Sequence, residues 1–280
     1  MEEVRQKLLT GERALYNKKD LKVIDSTFDD GESPLKECEN IEVVNTIFKW
    51  KYPMWYSTHV LVLDSSLLTT ARSGIWYTDD ITFKDSVIEA PKTFRRSKNI
   101  TLINTNMPNA EETLWNCENI KIENICASGH YFGLNAVNVD IKNFKLDGNY
   151  AFDGAKHVRI DNAMMLSKDS FWNCEDVVVT NSTIIGEYLG WNSKNVTFIN
   201  CTIDSIQGMC YMENLKLVNC KLLNTNLTFE LSTVDADIVS HIDSVKNPIS
   251  GHIKAKSIGE IILDEDMIDK TRTVIEVENV

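Results

Sequence analysis

The stretch Asn195-Val196-Thr197-Phe198-Ile199-Asn200-Cys201-Thr202-Ile203 returns nineteen residues later as Asn214-Leu215-Lys216-Leu217-Val218-Asn219-Cys220-Lys221-Leu222. Earlier in the chain the same order opens at Asp20, Asn40, His59, Asp80, Asn99, Asn119, Asn138, His157 and Asp176, at intervals of 19 to 21 residues. One residue after every opening stands Leu, Ile or Val, and three after it another apolar residue, from Val23 and Val43 to Phe198 and Leu217. Polar residues separate them, and alternation with period two marks a half-buried strand. Five after the opening the column is Asp25, Asn45, Asp64, Asp85, Asn104, Asn124, Asn143, Asn162, Asn181, Asn200 and Asn219. Asn and Asp tolerate the left-handed backbone of a sharp corner, and stacked Asn amides can bond one another as a ladder. Eight after it comes a second apolar column, from Phe28 and Phe48 to Ile203 and Leu222.

Columns this strict place equivalent residues one above another. Helical repeats of about 33 to 47 residues are too long to give them. A coil of nineteen residues has room for three short strands and three corners. The expected fold class is therefore all-β, a single-stranded parallel β-helix of about 11–12 coils with roughly 19-residue repeats. Parallel crossovers make it right-handed. Residues 1–223 carry this helix, with a half-coil at 1–18 as its N-terminal cap. After Leu222 the pattern loosens, and 224–280 are expected to form C-terminal coils and a cap of the same domain.

The chain has 280 residues, 29 basic against 41 acidic, for a net charge of −12. That balance argues against nucleic acid and against anionic membranes as partners. The densest basic cluster, Arg95-Arg96 with Lys92 and Lys98, is small. No apolar run approaches the ~18 residues that span a bilayer. The opening Met1-Glu2-Glu3-Val4-Arg5-Gln6-Lys7 lacks the apolar stretch of a signal peptide, so a cytoplasmic location is expected. Seven cysteines, none in a C-x-x-C pair, point to neither a disulfide framework nor a zinc site. Cys38, Cys117 and Cys174 fall two before an opening and Cys201 and Cys220 six after one, as small packed thiols would. His59, His130, His157, His241 and His252 are scattered, and no glycine-rich phosphate loop appears. No metal and no cofactor is expected.

Four segments resemble a known family: Phe48-Lys49-Trp50-Lys51-Tyr52-Pro53-Met54-Trp55-Tyr56, Ala71-Arg72-Ser73-Gly74-Ile75-Trp76-Tyr77, Ile88-Glu89-Ala90-Pro91-Lys92-Thr93-Phe94-Arg95-Arg96 and Gly186-Glu187-Tyr188-Leu189-Gly190-Trp191-Asn192. They are similar to an uncharacterised bacterial domain-of-unknown-function family of the pectin-lyase-like right-handed β-helix type, over almost the whole chain. The resemblance implies the fold and carries no activity. The wider superfamily contains polysaccharide lyases, polygalacturonases and pectin esterases, whose catalytic signatures are missing here. Asp29-Asp30 and Asp79-Asp80 stand in ordinary corners, and Gly129-His130 has no second Gly. Fold alone does not transfer function.

Four residues before each opening the column runs Tyr16, Lys36, Trp55, Trp76, Arg95, Trp115, Leu134, Asp153, Trp172, Trp191 and Cys210. The column before that is mostly apolar, from Leu35, Met54 and Ile75 to Phe171 and Met209. If it points inward, the tryptophans point outward. Candidate ligand-binding residues are Trp55, Trp76, Arg95, Trp115, Asp153, Trp172 and Trp191, with Arg95 set for cation–π stacking between Trp76 and Trp115. Charged residues seven or eight before an opening, Arg72, Lys92, Glu111, Glu112, Lys168, Asp169 and Glu187, could line a groove beside them. One reading is a carbohydrate-binding or carbohydrate-processing protein with a linear carbohydrate as partner. The alternative is a structural or oligomerising scaffold whose Trp face is buried in a partner or a homo-oligomer. A local kink that turns the Trp column into the core is a third. No catalytic residue emerges. Asp64 and Asp85, consecutive in the corner column, should lie roughly 5 Å apart, near the spacing of a retaining glycosidase pair, but a column wholly of Asn and Asp points to a turn role.

Overall fold

The computed structural model describes residues 1–278. The described residues form parallel strands, joined by turns and one short 3₁₀ helix at Lys270–Arg272. No helix among them is long and apolar enough to cross a membrane. The chain divides into two compact units, Met1–Lys145 and Leu146–Val280.

In the first unit Glu2–Arg5, Lys19–Ile24, Glu39–Val44, Thr58–Leu63, Asp79–Lys84 and Lys98–Ile103 pair in succession. The register sets Leu21 beside Ile41, Ile41 beside Val60 and Val60 beside Ile81. A second row holds Thr27–Phe28, Ile47–Phe48, Ser66–Leu67 and Val87–Ile88. The apolar columns are the core: Leu21, Val43, Phe48, Ile81, Phe83 and Ile88 are sealed from solvent, and Phe28 stacks on Phe48 at 4.8 Å.

The second unit repeats the plan with Lys156–Leu166, Glu175–Thr180, Lys194–Ile199 and Glu213–Leu223, then adds Thr233–Lys246, Ser250–Ile262 and Thr273–Val277. Val158, Val177, Val196 and Phe198 fill its core, and Phe152 stacks on Phe171 at 5.5 Å. The turns number about fifteen rather than 11–12. Glu2–Arg5 completes a turn where a half-coil was expected, and three turns follow Leu222. These end turns escape the sequence pattern because Met1, Thr233, Ser250 and Arg272 stand where Asn, Asp or His opens the others, and because register shifts between Leu217 and Cys220 and between Ile238 and His241 displace the columns.

A regular turn carries four or five residues with positive φ rather than three corners. Tyr52, Tyr56, His59 and Asp64 are one set in the first unit, and Asp169, Phe171, Asn173, Asp176 and Asn181 another in the second. Left-handed backbone costs a non-glycine residue about 1–2 kcal/mol. Turn-to-turn bonds offset it: Asn45 N donates to Leu63 O at 3.1 Å and Tyr56 N to Trp76 O at 3.0 Å. Several buried hydroxyls and thiols two before an opening also donate to carbonyls of the preceding turn. Ser57 Oγ reaches Leu35 O at 2.7 Å, and Cys174 Sγ reaches Phe152 O at 2.9 Å. Cys and Ser are thus interchangeable donors there. Burial pushes the Cys117 thiol up to about 12 and raises Cys174 as well, so both stay protonated.

Candidate functional site

In the first unit the side chains preceding the candidate column, Met54, Ile75, Phe94 and Leu114, are buried. Trp55, Trp76, Arg95 and Trp115 point the other way and are half-buried at the surface. They stack as one pile: Trp55 lies 5.1 Å from Trp76 with planes 8° apart, and the Arg95 guanidinium sits 5.0 Å from the Trp76 centroid and 4.3 Å from that of Trp115. Glu112 holds Arg95 from the side at 2.6 Å. In the second unit Trp172 stacks on Trp191 at 5.7 Å and 10°, with Tyr150, Tyr188 and Tyr211 edge-on around the pair. Asp153 stays out of the stack and accepts a bond from Asn173 Nδ2 at 2.9 Å.

The five indole N–H groups share one task. Trp55, Trp76 and Trp115 donate to the carbonyls of Ser73, Lys92 and Tyr131 at 2.6, 3.0 and 2.7 Å. Trp172 and Trp191 donate to Tyr188 and Gln207 at 2.6 and 2.7 Å. All five acceptors have positive φ. Each tryptophan therefore fastens a strained corner of the next turn, its faces turned to neighbouring rings and its edge to solvent. A parallel column escaped the sequence reading. Tyr56 and Tyr77 stack at 4.9 Å and 2°, with Lys36 5.7 Å from one ring and Arg96 5.9 Å from the other. The repeated dipeptides Trp55-Tyr56 and Trp76-Tyr77 were the available signal.

The second unit also holds a groove of about 370 Å³. Its apolar strip is Leu166, Ile185 and Ile206, exposed by 39%, 39% and 44%. Asp147, Asn149, Lys168, Glu187 and Asp204 surround it. Gly186 recesses the floor, since a Cβ there would lie 2.1 Å from Ser167 O. Lys168 pairs with Glu187 at 2.7 Å, and Asn224 donates to Asp204 at 2.8 Å. Behind the rim Asp169 is nine-tenths buried, and burial first, then the charge of Glu187, pushes its carboxyl above the usual range. Of the charged residues expected along a groove, Lys168 and Glu187 line this one and Arg72, Lys92, Glu111 and Glu112 do not; its apolar strip sits outside the strongest columns.

The opening and corner columns are bonded from turn to turn. Asn99 donates to Asp80 at 2.7 Å, Asn119 to Asn99 at 2.9 Å and Asn138 to Asn119 at 3.0 Å. Asn104 donates to Asp85 at 2.8 Å. Asp64 and Asp85 do fall on adjacent turns, Asp64 N donating to Lys84 O at 3.2 Å. Among the described residues no three His, Cys, Asp or Glu side chains are grouped to hold a metal ion.

Solved structures with a similar course include a surface adhesin of Streptococcus pneumoniae, PfbA, at 12% identity and a TM-score of 0.40, covering 77% of this chain and 71% of that one. A mannuronic acid specific polysaccharide family 6 lyase from human gut microbiota has 8% identity and a TM-score of 0.43, with 95% and 84% covered. The A-module of the mannuronan C-5 epimerase AlgE4 of Azotobacter vinelandii has 9% identity and a TM-score of 0.31, with 99% and 87% covered. The likeness is one of fold. No curated protein matches the chain. The model of one family, described as "Protein of unknown function (DUF3737)", matches residues 2–276, so the chain belongs to the DUF3737 family.

Proposed function

We propose that this protein binds a linear carbohydrate in the groove of its second unit, over the strip of Leu166, Ile185 and Ile206. The observation that carries this reading is the groove's composition. An apolar strip of Leu166, Ile185 and Ile206 suits the C–H face of a sugar ring, and the carboxylates and amide of Asp147, Glu187, Asp204 and Asn149 suit its hydroxyls. Pockets of this size with a few convergent polar groups are the usual form of a small-ligand site. The role is binding; no reaction is assigned. The test is titration with neutral and acidic oligosaccharides, followed by tryptophan fluorescence and calorimetry. Saturable binding to one of them, weakened about tenfold or more by Asp204→Ala, is expected.

A second reading has its own support. The ring faces of Trp55, Trp76 and Trp115 are occupied by one another and by Arg95, as in a column that stabilises the coil of a scaffold. Absence of binding to every sugar, together with an oligomer that grows with concentration, would replace the carbohydrate reading by this one.

A further inference from the structure

The second unit carries a smaller depression of about 220 Å³, lined by His157, Arg159, Asp176, Val178 and Asn195. Three of these residues belong to the opening column. Asn195 Nδ2 donates to Asp176 Oδ1 at 2.8 Å, and His157 Nδ1 lies 3.1 Å from Asp176 Oδ2. A carboxylate accepts only, so Asp176 needs a donor on both sides, and Nδ1–H of His157 supplies the second. Nε2, at the other edge of the ring, has no protein partner among the described residues, and neither has the Arg159 guanidinium. His157 and Arg159 both line the depression and so open onto the same side. Glu175 beside the depression is held by Lys156 and Lys194, each at 3.0 Å.

The first unit contains the same column without the guanidinium. His59 Nε2 lies 3.5 Å from Asp80 Oδ2, and Asn99 donates to Asp80 Oδ1 at 2.7 Å. There the residue two beyond the histidine is Leu61. The His–Asp–Asn order is how an acid is fitted into a column of amides. Arg159 and the depression are what the second unit adds.

We infer that His157 and Arg159 form a binding site for a small oxyanion, a carboxylate or a phosphate group. The planar fork of a guanidinium matches two oxygens of either group, and the imidazole beside it, when it carries a proton on Nε2 as well as Nδ1, donates a third bond. The site is separate from the carbohydrate groove and does not depend on it.

The test is NMR of the histidine ring and arginine Nε–H signals at constant ionic strength, with inorganic phosphate, acetate and glucuronate as probes. Saturable shifts of His157 and Arg159 with at least one probe, His59 unmoved, are expected. Phosphate alone would assign a phosphate ligand; acetate or glucuronate would assign a carboxylate. Arg159→Leu, which copies Leu61 at an exposed position, should weaken binding about tenfold or more with an unchanged melting temperature. No saturable shift, equal binding by Arg159→Leu, or parallel movement of His59 would each overturn the site.

Discussion

An Asn in the corner column does three things at once, and Asn200 shows all of them. Its φ is 53°, its Nδ2 donates to Asn181 at 3.2 Å, and its Oδ1 accepts from Asn219 at 2.8 Å. Leucine can do none of these comfortably. Asn200→Leu should destabilise the protein by about 1–3 kcal/mol in urea unfolding; an unchanged midpoint would refute the role. Asp169 points to the opposite outcome. Its carboxyl is raised by burial and by Glu187, so the native state holds the proton more tightly than the unfolded chain. Its contribution to folding is full below the ordinary carboxylate range and is lost as pH rises through the raised native value. Asp169→Asn removes the charge, keeps an acceptor for Tyr150 and suits a φ of 56°. It should raise the melting temperature by a few degrees at pH 7, the gain closing towards about pH 4. A gain that persists in acid would show that charge is not the cause. The corner column was legible because one residue type serves it throughout. The burial of Asp169 was not, because its column mixes Ser, Tyr, Lys, Glu and Gln.

At the scale of the element, the aromatic piles decide how a short two-residue strand such as Ile75–Trp76 stays in place. Ring faces hold the pile together and the indole N–H fastens it to the next turn. Trp191→Phe keeps the stack on Trp172 but strands the Gln207 carbonyl. It should cost about 1–2 kcal/mol, and Trp191→Ala about 3 kcal/mol or more, both read from thermal unfolding. Equal losses would mean that the hydrogen bond contributes nothing. Arg95→Lys is a sharper probe, since an ammonium cannot lie flat between Trp76 and Trp115. A loss of about 1 kcal/mol is expected, and none would show that charge alone suffices. The apolar neighbouring column pointed the tryptophans outward, yet an inward kink stayed open in the sequence alone. Which way each ring turns depends on side-chain torsions and on the carbonyl it finds, and no spacing encodes that.

For the whole molecule the repeat implies a modular stability in which a turn rests chiefly on its neighbours. Excision of residues 195–213 joins Lys194 to Asn214 and leaves every column in phase. The shortened protein should fold with the same β-rich circular dichroism and melt a few degrees lower. Excision of 195–204 breaks the phase and should not fold. Failure of the in-phase deletion would mean that the turns are not equivalent. The fold was readable at this scale because nineteen-residue periodicity survives in eleven successive turns. The end turns were not, since strand pairing there rests on backbone bonds with shifted register, as between Ile238 and His241.

The stacked amides also have a direction. Asn138 donates to Asn119, Asn119 to Asn99 and Asn99 to Asp80; in the second unit Asn214 donates to Asn195 and Asn195 to Asp176. Every bond in these runs points from a later turn to an earlier one. Aligned head to tail, they sum to a dipole, as peptide groups do along an α-helix, with the positive pole at the earlier turn. Asp80 and Asp176 stand at that pole, where an acid stands at the start of a helix. The side chains thus give each run an electrical polarity of its own, receptive to an anion at one end and to a cation at the other.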